Sequence, residues 1–179
     1  MIKFTELLSP ENIRQGIICS SKKRLFEIIS DIVVPQIENN LNTEDNVPYL
    51  NEFECFENLF AREKLGCTSL GNGVAIPRAK IPNSEHAIAV FLQLGLPLDY
   101  EAPDRREVDL ILAILIPENM CADYSLILPE LAEKLSDKNL CKQLRTAQNK
   151  DEIWQIFNRI DGNINTQAEG TETITEKDI

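Results

Sequence analysis

The run Arg62-Glu63-Lys64-Leu65-Gly66-Cys67-Thr68-Ser69-Leu70-Gly71-Asn72-Gly73-Val74-Ala75-Ile76-Pro77-Arg78-Ala79-Lys80 divides the chain into two differently patterned halves. Its three glycines, with Pro77 and then Pro82, interrupt any helix that enters it. Cys67, Thr68 and Ser69 are small, so the turn exposes backbone donors before the chain passes into the apolar Val74-Ala75-Ile76. Residue types alone leave two readings open. One is a tight connection between helix and strand with no ligand. The other is an anion cradle, in which glycine lets the backbone approach and Thr68 and Ser69 add hydroxyls. The G-x-x-x-x-G-K-[ST] spacing of a nucleotide-binding loop is absent.

On the amino-terminal side, Leu25, Ile28, Ile29, Ile32, Val33 and Ile37 recur every three or four residues behind Ser20 and Ser21. This spacing predicts an amphipathic helix that carries Pro35 in its last turns. A polar segment, 40–47, reads as a loop. A second helix is expected over about 48–64, with Tyr49, Leu50, Phe53, Phe56, Leu59 and Phe60 on one broad face. On the carboxyl-terminal side, Ala87–Leu94 and Val108–Ile116 are compact Ile/Val/Leu runs that fit strands buried on both faces. Between them, Pro97–Arg106 reads as a connection with a short edge strand. Helices are predicted over about 123–136, 138–147 and 150–160. The expected fold class is therefore α/β, a mixed and mostly buried sheet of about five strands sandwiched by helices. Residues 161–179 are polar and acidic and are expected to form a disordered tail.

The 179 residues suit one domain, and 29 acidic against 18 basic side chains give a net charge of −11. That balance argues against nucleic acid and anionic membrane surfaces as partners. Cys19, Cys55, Cys67, Cys121 and Cys141 are odd in number and form no C-x-x-C pair, so neither a disulfide framework nor a metal site is expected. No run approaches the roughly 20 apolar residues of a membrane helix. A reducing cytoplasm is the compartment these features suggest.

The run 62–80 closely resembles the active-site stretch of phosphotransferase-system enzyme IIA domains of the fructose/mannitol and nitrogen-regulatory type. Their pattern is R-E-x-x-G-[ST]-T-G-[IL]-G-N-G-[IV]-A-I-P-H-[GA]-K. The order of elements agrees on both sides, from Ser21-Lys22-Lys23-Arg24 to Leu131-Ala132-Glu133-Lys134-Leu135-Ser136-Asp137-Lys138. The resemblance covers roughly residues 4–160 and looks closer to the nitrogen-regulatory branch. It implies the enzyme IIA fold, no cofactor, and protein partners such as a phosphocarrier protein, a sensor kinase or transporter subunits.

The pattern breaks where its chemistry resides. The family's phosphoacceptor histidine corresponds to Arg78, and a second active-site histidine corresponds by alignment to Tyr124. A neutral imidazole offers a lone pair to phosphorus, whereas guanidinium stays protonated and offers donors only. No catalytic residue is therefore expected. Arg62 corresponds to the family's phosphoryl-contacting arginine and is retained. The resemblance implies an anion- or partner-binding set of Arg62, Thr68, Ser69, Gly71, Gly73, Arg78 and Tyr124. If Arg62 and Arg78 converge, an acidic neighbour should offset their repulsion, and Glu63, Asp123 and Glu130 are the candidates. The function this suggests is a nitrogen-regulatory enzyme IIA-like binding module that cannot be phosphorylated. Two alternatives remain: a phosphoryl carrier with an atypical acceptor (Tyr124, Ser69, Thr68 or the lone histidine, His86), and a small-anion sensor built on Arg62 and Arg78.

Overall fold

The computed structural model describes residues 2–40 and 50–163. Elements run in the order α1 (Phe4–Leu7), β1 (Ile13–Ile17), α2 (Lys22–Asn40), α3 (Glu52–Leu65), β2 (Ser69–Gly71), β3 (Val74–Ala75), β4 (Arg78–Ile81), β5 (Ile88–Leu98), β6 (Val108–Pro117), α4 (Cys121–Leu135), α5 (Lys138–Thr146) and α6 (Lys150–Ile160). The sheet order is β1-β5-β6-β3-β2, with β4 also paired to β6. β5 and β6 are antiparallel, whereas β1 runs parallel to β5, and β3 and β4 run parallel to β6. This is the mixed, helix-covered sheet expected, with six strands rather than about five.

Side chains on a strand alternate between faces, and the two apolar runs fill both. From β6, Leu110, Leu112, Ile114 and Ile116 join a core closed by α1, α4, α5 and α6. The intervening Ile111, Ala113 and Leu115 join a second core beneath α2 and α3. Continuous hydrophobicity in β5 and β6 follows directly from burial on two sides. None of the described helices is long and apolar enough to cross a membrane.

Helix limits follow their caps. α3 begins at Glu52, later than expected, because the Asn51 side chain accepts from the Glu54 amide at 2.8 Å. Tyr49 and most of the expected loop 40–47 lie outside the described residues. Pro35 falls within α2 without ending it. Three further features depart from expectation. β1 and α1 carry no strong periodicity, and pairing with β5 and burial of Phe4 against Phe157 create them. The connection after Leu98 forms no edge strand, because Tyr100 turns inward and is fully buried. Asp161, placed in the expected tail, instead accepts from the amides of Phe4 and Thr5 at 3.1 and 2.8 Å and fastens α1 to the end of α6. Residues 164–179 of that tail lie outside the described residues.

β2 and β3 form a tight hairpin whose tip, Gly71-Asn72-Gly73, has positive φ throughout. Arg145 holds it, donating to the Asn72 carbonyl at 2.6 Å and to Asp109 at 2.9 and 3.0 Å. A Cβ on Gly73 would lie 2.7 Å from the Arg145 guanidinium and 3.1 Å from Asp109. Left-handed backbone costs an L-residue about 1–2 kcal/mol, and displacing a charge-assisted bond costs about 1–3 kcal/mol more. Gly73→Ala is accordingly expected to lower the melting temperature by about 5 °C or more, and thermal denaturation followed by circular dichroism checks this.

Candidate functional site

The site is built where the end of α3 meets the start of β4. Ile76 and Pro77 separate β3 from β4 along one edge of β6. Pro77 has no amide hydrogen, yet its carbonyl accepts from the Ile114 amide at 2.9 Å, so the chain stays fixed through the jog. The Asn58 side-chain amide of α3 donates to the Lys80 carbonyl at 3.1 Å and ties helix to strand. Arg78, the first residue of β4, is thereby held half-buried against the last turn of α3.

That last turn carries Arg62 and Glu63. Arg62 donates to the Gly66 carbonyl at 2.8 Å, closing a helix end whose carbonyls lack partners. Glu63 faces the other way and is the hub of a buried network. Its Oε1 accepts from Lys22 Nζ at 3.0 Å and from the Thr68 amide at 3.1 Å. Its Oε2 accepts from the Thr68 hydroxyl at 2.6 Å, and the Tyr100 hydroxyl lies 2.7 Å from that same Thr68 oxygen. Lys22 also stands 4.1 Å from the centre of the Tyr100 ring. Burial alone would raise the Glu63 pKa, but the Thr68 donors and Lys22 together outweigh it and hold the carboxyl below its ordinary value. Tyr100 is pushed far up, first by burial and then by the Glu63 charge.

Arg78 feels all of this. Burial lowers its pKa first and repulsion from Arg62 adds to that, while Glu63 and Tyr100 act in the opposite sense. Of the three candidate counter-charges, Glu63 is the one the fold supplies. Glu130 instead accepts from the Ile2 amide and pairs with Lys134 on α4. Beside Arg78 opens a cleft of about 730 Å³, bounded by α3, β4 and α4, with Arg62, Arg78 and Lys80 among its walls and Glu118 the acid that lines it.

The residues anticipated for the site separate into groups. Arg62 and Arg78 share the cleft. Thr68 stands behind it, buried in the Glu63 network. Ser69 belongs to the hairpin, where its hydroxyl accepts from the Gly71 amide. Gly71 and Gly73 form the hairpin tip that Arg145 clasps, where the turn requires their positive φ. Tyr124 is also displaced from expectation. It is buried in the core, and burial, Glu6 and Asp123 raise its pKa. α4 turns Cys121, Ser125, Leu128 and Ala132 toward the cleft, a spacing that leaves position 124 on the core-facing side. His86 is exposed ahead of β5 and does not line the cleft. Sequence reasoning missed Lys22 and Tyr100. A single aromatic within the mostly charged 99–107 segment was the available signal for the latter.

The family model described as phosphoenolpyruvate-dependent sugar phosphotransferase system, EIIA 2, matches residues 6–160. The chain is 57% identical over 158 residues to a nitrogen regulatory protein homolog of Haemophilus influenzae, covering 87% of this chain and 91% of that one. It is 35% identical over 162 residues to the nitrogen regulatory protein of Escherichia coli K12, covering 90% and 93%. The crystal structure of nitrogen regulatory protein IIA-Ntr from Neisseria meningitidis superposes with a TM-score of 0.74 at 34% identity, covering 85% of this chain and 97% of that one.

Proposed function

Given that the chain belongs to the phosphotransferase-system EIIA 2 family and is of the nitrogen-regulatory IIA type, we propose that it is a regulatory binding module without a phosphorylation switch. The observation that carries this reading is Arg78, a half-buried guanidinium on the cleft wall at the position the family pattern gives to histidine. Phosphoryl transfer needs a nitrogen lone pair in line with phosphorus, and guanidinium keeps none. The hydroxyls nearby are poor substitutes. Thr68 is committed to Glu63 and Tyr100, Ser69 to its hairpin, and Tyr124 to the core. A phosphate ester on any of them would also trap the group, because it lacks the transfer potential of a phosphoramidate.

Such a module acts by occupancy: it binds a phosphocarrier protein, a sensor kinase or a transporter subunit in one fixed charge state. The cytoplasm, where its free cysteines stay reduced, is the compartment that fits. Backbone NMR tests the reading. Signals of residues 62–80 are expected to superpose before and after incubation with phosphoenolpyruvate, enzyme I and the phosphocarrier protein. A second set of signals confined to that stretch, reversed on phosphoryl removal, would overturn it.

A further inference from the structure

Arg78 Nε is buried and has no hydrogen-bond partner among the described residues. Leaving such a donor unmet costs about 1–3 kcal/mol, and more when it carries charge. The neighbouring acid does not meet it, and the Glu63 oxygens accept instead from Lys22 and Thr68. Arg62 stands in the same cleft with one nitrogen committed to the Gly66 carbonyl. With Lys80, three cations line the cleft against the single acid Glu118, a local excess of positive charge on a chain whose net charge is −11. The rest of the lining is largely aliphatic. Leu65 and Leu70 stand at its margin, 84% and 39% exposed.

We propose that this cleft docks an acidic–aliphatic segment of a partner protein. One Asp or Glu side chain enters it and pairs with the guanidinium groups of Arg78 and Arg62, while flanking aliphatic residues cover Leu65 and Leu70. The proposal rests on the reading of the chain as a binding module and names the chemistry its partner must carry. Carboxylate matches guanidinium in plane and charge, and the pair gains strength as the segment expels water. A bare inorganic anion would satisfy the arginines but leave the two leucines uncovered. Arginine with adjoining aliphatic surface is the composition on which protein interfaces concentrate their binding energy.

Panning a random linear peptide library on the full chain tests this, followed by fluorescence-polarisation titration of the selected peptides. Enriched sequences are expected to carry Asp or Glu flanked by Leu, Ile, Val or Met. Exchanging that carboxylate for its amide is expected to weaken binding at least about thirtyfold. Arg78→Leu should weaken it comparably, and the Arg78 Nε–H NMR signal of the unaltered chain should shift on titration. The peptide exchange leaves the protein untouched, so the test does not depend on how well the variant folds. Failure to enrich any sequence, enrichment without acids, or equal binding to Arg78→Leu overturns the proposal. So does a shift of the Arg78 signal by phosphate or isobutyrate when no peptide is selected, which would assign the cleft to small anions. A phosphoryl adduct on the chain would overturn the proposed function instead and leave the peptide result standing, so the two failures are distinguishable.

Discussion

Glu63→Ala is expected to destabilise the protein by about 3–5 kcal/mol, the range found when one partner of a buried ion pair is removed. Glu63 is 6% exposed and its partner Lys22 16%, so solvent screens the pair little. The substitution strands the Lys22 ammonium and the Thr68 amide together and leaves the Thr68 hydroxyl with the Tyr100 hydroxyl alone. It also removes the negative charge that offsets Arg78 and Arg62. The expected fall in melting temperature is roughly 6–20 °C. Glu63→Gln keeps an acceptor and a similar shape, so it should fall between wild type and Ala. The sign of the pH dependence follows from the lowered Glu63 pKa. The folded chain releases this proton more readily than the unfolded chain, so acid favours unfolding. The contribution is complete above the ordinary carboxyl value of 4.5 and is lost as pH falls through the lower, folded value. Urea unfolding across this interval should show a steeper loss of stability in wild type than in Glu63→Gln.

Arg78→His is expected to make the chain accept a phosphoryl group, which on the proposed function the wild-type chain does not do. The backbone of β4 and the fixed carbonyl of Pro77 would hold the new imidazole in the cleft beside Arg62. Imidazole restores a lone pair at near-neutral pH, and replacing a cation with a neutral ring relieves the Arg62–Arg78 repulsion. The adduct should be labile to acid and stable to alkali, as a phosphoramidate is. Slow transfer is expected, because α4 presents Cys121, Ser125 and Leu128 to the cleft rather than a second imidazole. Quench-flow labelling of the variant measures that rate.

How much of this was legible beforehand depended on the range of the interactions involved. α2 was readable because its apolar residues repeat along one face toward a single core, and β5 and β6 because each of their faces meets a core of its own. β1 was not, since Arg14, Gln15 and Gly16 occupy its centre and only pairing with β5 makes it a strand. Arg62 and Arg78 both line one cleft, a convergence that the sequence raised only as a condition. The Glu63 hub was legible only in part. Its members Lys22, Thr68 and Tyr100 are scattered along the chain, and no local pattern encodes their meeting. Gly71 and Gly73 sit at the hairpin tip, and since a hairpin tip and an anion cradle make the same demand for left-handed backbone, the sequence did not separate the two readings. For Tyr124 the fault lay in helix phase: position 125, one residue on, faces the cleft.

Arg78 cannot attack phosphorus, and the sequence resemblance puts it where the family pattern has its nucleophile. Intact-mass spectrometry of the wild-type chain, after incubation with phosphoenolpyruvate, enzyme I and the phosphocarrier protein and beside the Arg78→His variant, tests this most directly. The predicted result is an unchanged wild-type mass and a variant heavier by one phosphoryl group. A wild-type chain that gains the same mass would contradict it.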